Sequence, residues 1–269
     1  MGLKLWDALI GLFKPHKKTA PLEPPKPDVP STTHEGKQEG PSSIYHRQDS
    51  TVSRRNQDMT SESELGKFLD KHLYKELLKS GAFKSITRET EKEVQLNGVD
   101  VTCVATNGAV YRIDEKAQLY YINKNLPTFA FDVDFLRDGL VTIGWLCNPA
   151  LLTDAYLLIW PYATQNTPKG IQENQFTEAD CILVSKRRIL NFLEQNGLTI
   201  ERMLADAHQF RKERRTGKIP IPGLHGIYYF ASYPNQYKEA PINIVIAKKY
   251  LREIAWRKYV VTPNGMKKE

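Results

Sequence analysis

A strong hairpin signal lies near the middle of the chain. The pair Asn107-Gly108 is typical of a tight β-turn, because both residue types tolerate positive φ angles. Residues 99–105 before the pair and residues 110–122 after it are rich in β-branched and aromatic side chains, which favour strands. Two strands joined by so short a turn must pair antiparallel. The sequence therefore predicts a β-hairpin over residues 99–122, around which the rest of the fold is built.

Helical and strand patterns alternate on both sides of this hairpin. Upstream, apolar residues recur at helical spacing after a capping signal at Ser61, and Gly81 supplies a stop, which predicts a helix over residues 62–79. Further strands are predicted over residues 85–96, 128–135, 153–160, 181–184 and 242–246, and further helices over residues 186–195, 199–214 and 248–259. This order predicts an α/β or α+β fold with a central mixed sheet flanked by helices.

Composition divides the chain into four segments. Residues 1–18 begin with leucine and aromatic side chains at helical spacing, which indicates either a segment that binds a membrane surface or a protein partner, or a terminus that packs on its own domain. Residues 19–60 are polar and rich in proline, which is typical of a disordered linker. Residues 61–165 are the predicted core, and residues 166–269 are a further α/β portion of the same globular unit.

The overall composition narrows the class of protein. The chain has 269 residues, 41% of them hydrophobic, and a formal net charge of +7. A basic balance favours nucleic acid or an acidic membrane surface as a partner. The three cysteines have no close spacing, which indicates reduced thiols rather than a zinc site or disulfides. No segment reaches the ~20 apolar residues that span a bilayer. We therefore expect a cytoplasmic protein, with peripheral membrane association through residues 2–18 as an option.

Three chemically suited side chains share one face of the second hairpin strand. Side chains alternate along a strand, so Asp114, Lys116 and Gln118 point the same way, at intervals of roughly 7 Å. Carboxylates bind Mg²⁺ or Mn²⁺, which polarises a phosphate group. A neighbouring lysine can orient or deprotonate the attacking water and can stabilise the transition state. This set predicts chemistry on phosphodiesters.

The pattern resembles a known family. Asp100, followed by Asp114-x-Lys116 on a hairpin that comes after a helix, is similar to the PD-(D/E)xK nuclease superfamily, although Val99 stands where the family has proline. The resemblance implies a restriction-endonuclease-like fold and a metal-dependent nuclease that leaves a 5′-phosphate, with DNA as the expected substrate. It also implies that Asp100 and Asp114 bind Mg²⁺ or Mn²⁺, that Lys116 is the catalytic lysine, and that Gln118 orients a ligand or the water.

The resemblance implies two further metal ligands. The backbone carbonyl of Glu115 is one, while the Glu115 side chain is expected on the apolar face of the strand. The other is an acid from the preceding helix, for which Glu76 is the first choice and Glu64 the second.

The hairpin register decides whether the acids can meet. A regular two-residue turn at Asn107-Gly108 pairs Asp100 with Glu115, and Asp100 then points away from Asp114. A three-residue loop, or a bulge near Asp100, shifts the register by one residue and brings the two aspartates to the same face. The nuclease interpretation therefore predicts such an irregularity.

A basic cluster and an acidic run carry weaker predictions. Five cations near the end of the helix predicted over residues 199–214 could follow a nucleic-acid backbone or could simply be a solvated face: Arg211, Lys212, Arg214, Arg215 and Lys218. Glu89, Glu91 and Glu93 would share one face of a strand, most simply a solvated edge. The rival hypothesis for the whole chain is a non-catalytic nuclease fold that binds nucleic acid or protein. DNA versus RNA, endonuclease versus exonuclease, and oligomeric state stay open.

Overall fold

The structure is a computed structural model that describes residues 54–232 and 239–269. The predicted amphipathic segment, residues 1–18, and most of the predicted linker, residues 19–60, lie outside the described residues. The end of that linker, from Arg54 onward, is helical. Residues 55–269 form one compact unit, which is the part described below.

The described residues contain six α-helices, which lie before and between the strands. They are α1 (Arg54–Leu69), α2 (Lys75–Lys79), α3 (Lys92–Leu96), α4 (Lys186–Gln195), α5 (Ile200–Lys212) and α6 (Lys248–Ile254). A π-helical turn, Asp70–Tyr74, joins α1 to α2, so that the helix predicted over residues 62–79 is continuous but begins earlier. Its predicted stop is confirmed, since Gly81 follows with a φ of +74°.

Strands outnumber helices in the described residues. They are β1 (Phe83–Arg88), β2 (Val101–Ala105), β3 (Val110–Ala117), β4 (Thr128–Arg137), β5 (Leu140–Ile143), β6 (Ala155–Ala163), β7 (Phe176–Ser185), β8 (Gly217–Pro220), β9 (Ile227–Ala231), β10 (Ile242–Ala247), β11 (Arg257–Thr262) and β12 (Gly265–Lys268). The class is therefore α+β, as the alternating patterns predicted.

The strands form two sheets. The first has seven strands in the order β1-β2-β3-β6-β7-β11-β12, and the second has five antiparallel strands in the order β5-β4-β10-β9-β8. Only β3 and β6 pair parallel among the described strands, which makes the first sheet mixed. A parallel pair needs a crossover, and the chain uses that crossover to build β4 and β5 of the second sheet. Residues 61–165 and residues 166–269 each contribute strands to both sheets.

Alternation along β6 divides the interior into two cores. Tyr156 and Leu158 belong to a core that includes Phe131 of β4, whereas Leu157 belongs to a core that includes Phe68 of α1. The first sheet is therefore covered by the second sheet on one face and by α1 on the other. The two faces of β3, which lies beside β6, open onto these two different environments.

Three secondary-structure predictions are wrong. The strand predicted over residues 110–122 ends at Ala117, and a 3₁₀-helix follows over Leu119–Tyr121, so Gln118 lies just beyond the strand that carries Asp114 and Lys116. The strand predicted over residues 85–96 ends at Arg88, and α3 occupies Lys92–Leu96, so Glu89, Glu91 and Glu93 do not share a strand face. The helix predicted over residues 248–259 ends at Ile254, and β11 then pairs with β7. No helix within the described ranges is long and apolar enough to cross a membrane.

Candidate active site

The β2–β3 hairpin closes through a three-residue loop. The Ala105 N–H donates to the Ala109 carbonyl at 2.8 Å, and the Gly108 N–H donates to the Ala105 carbonyl at 2.9 Å. Gly108 has a φ of +86°, the left-handed conformation that ends a three-residue hairpin loop. The loop therefore contains one more residue than the two-residue turn that Asn107-Gly108 alone would form.

The extra residue moves the register of the whole hairpin. Val101 lies opposite Ile113, one position away from the pairing of a regular two-residue hairpin. The predicted irregularity is confirmed. Just before this pair, the Asp100 N–H donates to the Ile113 carbonyl at 2.9 Å, and the Asp100 carboxyl group lies near enough to Asp114 for their charges to interact.

Asp114, which is buried, and Asp100, which is half-buried, form an acidic pair. Asp100 Oδ2 accepts the Glu115 N–H at 2.7 Å, which fixes its carboxyl group over β3. Burial, followed by the charge of Asp114, raises the pKa of Asp100 to about 6, against the opposing effects of Lys116 and the Glu115 N–H. The two carboxyl groups are close enough for a hydrogen bond between them. Two acids held together in this way favour a cation.

Lys116 neutralises part of this charge. Its Nζ donates to Asp114 Oδ1 at 2.6 Å and lies 5.4 Å from the centroid of the Trp145 ring. Burial works against the ammonium charge, but Asp114 and Asp100 outweigh it and raise the pKa of Lys116. The side chain as a whole remains 31% exposed, and the raised pKa keeps the ammonium protonated at neutral pH.

Two oxygen atoms of the predicted site are buried without a hydrogen-bond partner. They are Asp114 Oδ2 and Gln118 Oε1, and within the described residues Thr106 Oγ1 is the one other side-chain atom of this kind. Gln118 Nε2 donates to the Thr128 carbonyl at 2.8 Å, which fixes the amide. A buried oxygen without a partner lowers the stability of the fold. A cation or a water could supply the missing partner for Asp114 Oδ2 and for Gln118 Oε1.

The second sheet contributes an acid that the sequence analysis missed. Asp132 of β4 interacts with Lys116 and accepts a hydrogen bond from the Trp145 side chain. Burial raises the pKa of Asp132 to about 6, although Lys116 and Trp145 oppose the shift. The signal was present in the sequence, because Asp132 and Asp134 interrupt an otherwise apolar strand, where an acid needs a specific reason to be.

A turn over residues 144–148 connects Asp132 to a second lysine. A Cβ atom on Gly144 would lie 2.3 Å from the Asp132 carbonyl oxygen, so the close approach of this turn to β4 requires glycine. At the other end of the turn, the Asn148 carbonyl accepts a hydrogen bond from Lys186 Nζ at 2.6 Å. Lys186 begins α4 and lies near enough to Asp114 for their charges to interact.

The Glu115 side chain lies on the opposite face of β3, as expected. It accepts hydrogen bonds from the Tyr74 hydroxyl at 2.7 Å and from Arg88 Nη1 at 2.8 Å. Burial is the main cause of the raised pKa of Glu115, and Arg88 opposes it. The Glu115 carbonyl remains only a predicted ligand.

The helix that precedes the hairpin does not bring an acid to Asp114. Glu76 accepts a hydrogen bond from Lys79 at 2.7 Å on an exposed part of α2. Glu64 accepts the Lys67 ammonium at 2.6 Å and the Glu173 N–H at 2.8 Å. Because α1 packs on the Glu115 face of β3, neither glutamate joins Asp100 and Asp114, which corrects the ligand that the resemblance implied.

The predicted basic cluster is divided. Arg211 Nη2 donates to Asp134 Oδ1 at 2.5 Å and to the Ala240 carbonyl at 2.9 Å, so this guanidinium is part of the folded interior. Its buried pairing makes Arg211 unsuitable for following a phosphate backbone. The other four cations of the cluster are exposed: Lys212, Arg214, Arg215 and Lys218.

The acids present suit a metal held partly by its substrate. Within residues 54–232 and 239–269, no group of three or more His, Cys, Asp or Glu side chains is arranged to hold a metal ion. Mg²⁺ commonly uses one or two carboxylates and completes its shell with water and phosphate oxygens. Asp100 and the unpaired Oδ2 of Asp114 fit that smaller requirement.

Comparisons of the chain with protein-family models, with curated proteins and with solved structures gave no match. The geometry around Asp100, Asp114 and Lys116 is therefore the basis for the function proposed below.

Proposed function

We propose that the protein is a Mg²⁺- or Mn²⁺-dependent nuclease that hydrolyses phosphodiester bonds, with DNA as its expected substrate and a restriction-endonuclease-like core. The observation that carries this proposal is the hairpin register, which brings Asp100 to Asp114 and Lys116. A regular hairpin would have separated the two acids. The net charge of +7 on the whole chain is consistent with a polyanionic substrate.

Asp100 and Asp114 would hold the metal, and Gln118 would orient a ligand or a water. The bound metal would polarise the phosphate and offset the charge that develops during hydrolysis. The buried, unpaired Oδ2 of Asp114 supports this assignment, because a cation would satisfy an atom that otherwise costs folding free energy.

The surroundings of Lys116 favour one of its two possible roles. Because its neighbouring carboxylates raise the pKa of Lys116, the side chain is an ammonium at neutral pH and cannot readily accept a proton. It would therefore position the attacking water and stabilise negative charge on the phosphate, rather than act as a general base.

The proposal predicts that Lys116→Ala abolishes metal-dependent cleavage. The full chain would be incubated with supercoiled plasmid, linear duplex, single-stranded DNA and RNA, in Mg²⁺ or Mn²⁺, and the products separated on gels. Loss of one electrostatic group of this type lowers the rate about 100- to 1,000-fold. Cleavage of the closed plasmid would indicate an endonuclease, and the RNA lanes would test the expected preference for DNA.

Lys79→Ala is a matched control. Its ammonium also bonds a carboxylate, Glu76 Oε1, at 2.7 Å, but on the exposed part of α2. This variant should cleave at the rate of the intact protein, and so should Glu76→Gln. Equal cleavage by Lys116→Ala and the intact protein would refute the proposal. Binding without cleavage by the intact protein would favour the non-catalytic module instead.

A further inference from the structure

Lys116 and Lys186 lie at two ends of one short turn near Asp114. Trp145 of this turn packs under Lys116 Nζ, at 5.4 Å from the ring centroid, and the Asn148 carbonyl accepts Lys186 Nζ at 2.6 Å. The turn itself is closed by the Asn148 N–H, which donates to the Gly144 carbonyl at 3.0 Å. The two ammonium groups are therefore held by the same rigid piece of backbone.

The two lysines differ in how their charge is balanced. Lys116 is paired with Asp114 at 2.6 Å. Lys186, by contrast, makes no ion pair within the described part of the chain, and its ammonium donates a hydrogen bond to the neutral Asn148 carbonyl. Burial lowers the pKa of Lys186, and the nearby Cys147 and Asp114 only partly oppose this effect. A half-buried ammonium without a carboxylate partner is suited to an anion that arrives from outside.

We propose that Lys186 binds a phosphate group of the nucleic-acid substrate next to the acidic pair. This inference rests on the proposed function, since it names the group that would hold the substrate at the same site. The two acids would repel a phosphodiester, and Lys116 already balances one of them. Lys186 supplies the positive charge that the acidic pair lacks, and one hydrogen bond to Asn148 leaves two of its three N–H groups free.

Lys186→Gln tests the inference through binding, independently of cleavage. The glutamine amide can still donate to the Asn148 carbonyl, so the turn should keep its position. Fluorescence anisotropy of a labelled duplex and a labelled single strand would be measured in Ca²⁺, with gels to verify that the strands stay intact. We expect Kd to rise about tenfold and the slope of log Kd against log salt to fall by about one, as for the loss of one phosphate contact.

Two variants separate a specific contact from a general loss of charge. Arg187→Gln removes the same charge from the exposed neighbouring residue and should change Kd less than about twofold. Lys186→Arg keeps the charge and should restore most of the salt slope. Circular dichroism would verify that all three variants are folded.

The outcomes distinguish this inference from the proposed function. Weaker binding by Lys186→Gln, with normal binding by Arg187→Gln, would support the phosphate contact whether or not cleavage is detected. An unchanged Kd and salt slope in Lys186→Gln would overturn it, while Mg²⁺-dependent cleavage by the same protein would leave the nuclease proposal standing. Failure of the intact protein to bind either nucleic acid would overturn both.

Discussion

The two faces of β3 each carry a buried carboxylate beside a cation, but only one of these carboxylates is fully paired. On the α1 face, Glu115 accepts the Tyr74 hydroxyl at 2.7 Å and Arg88 Nη1 at 2.8 Å. Arg88 Nε also donates to Asp70 Oδ2, at 2.8 Å. On the face toward the second sheet, Asp114 Oδ1 accepts Lys116 at 2.6 Å, and Asp114 Oδ2 has no partner.

This difference indicates a structural role for Glu115 and a ligand-binding role for Asp114. A buried network in which every charge is paired fixes the packing of α1 on the sheet and needs nothing further. A pair of acids in which the pKa of Asp100 is raised and one oxygen of Asp114 is unpaired is incomplete, and such arrangements are concentrated at sites that bind a ligand. Two neighbouring residues of one strand thus have opposite roles, because alternation sends them into different environments.

Removing the cation that pairs with Glu115, on the α1 face of β3, should give the larger loss of stability. Arg88→Met would leave Glu115 buried without its cation, and we expect the free energy of unfolding to fall by about 3–5 kcal/mol. Urea denaturation followed by circular dichroism would measure it. Lys79→Met, which breaks the exposed Lys79–Glu76 pair, should cost less than about 1 kcal/mol. Similar small losses in both variants would show that Glu115 does not depend on Arg88.

Removing the charge of Asp114, on the face of β3 toward the second sheet, should cost little stability. Asp114→Asn relieves the repulsion with Asp100 while it gives up the Lys116 pair, so we expect the metal-free unfolding free energy to change by no more than about 1 kcal/mol. Glu115→Gln, the matched change on the next residue, should cost several kcal/mol by the same denaturation measurement, on the order of a broken buried pair. Equal losses in the two variants would make both faces structural.

Local signals predicted much of the hairpin and its neighbouring elements. The Asn107-Gly108 turn, the strands on either side and the bounds of α4 all depend on residues that are close in sequence. The nuclease interpretation required a one-residue shift of the hairpin register. Residue types alone, however, could not distinguish a two-residue turn from the three-residue loop that forms. That choice depends on packing between β2, β3 and the rest of the sheet.

Long-range contacts explain what the sequence did not predict about the site. Asp132 comes from the other sheet and reaches Lys116, and Lys186 comes from the start of α4 and reaches Asp114, both through packing that no local pattern encodes. The prediction of Glu76 as a metal ligand was wrong for a related reason. Periodicity identifies a helix but does not identify the face of the sheet that the helix covers. The helix predicted over residues 248–259 is too long at its end. The residues that follow the helix form β11, where Tyr259 and Val261 are buried with the period of two that is typical of a strand.

The acidic pair also predicts a dependence of stability on pH. The pKa of Asp100 is raised from 3.8 to about 6, so between these values the unfolded chain has lost a proton that the folded protein retains. Stability is therefore fully present below about pH 4 and is lost as pH rises through about 6, by about 1–3 kcal/mol. Asp100→Asn should reduce this slope, while Asp132, which has a similarly raised pKa, preserves part of it.

A divalent cation should reverse the sign of this slope. Mn²⁺ binds the deprotonated carboxylates, so its affinity should rise as pH increases through about 6, and saturating metal should stabilise the protein most at neutral pH. Melting temperatures measured from pH 4 to 8, with and without Mn²⁺, would test both slopes. Asp138→Asn, a change at an exposed turn, should leave both slopes as they are in the intact protein. If Mn²⁺ raised the melting temperature of Asp100→Asn and the intact protein equally at pH 7, the acidic pair would not be the metal site. The unpaired oxygen of Asp114 would then need a different ligand.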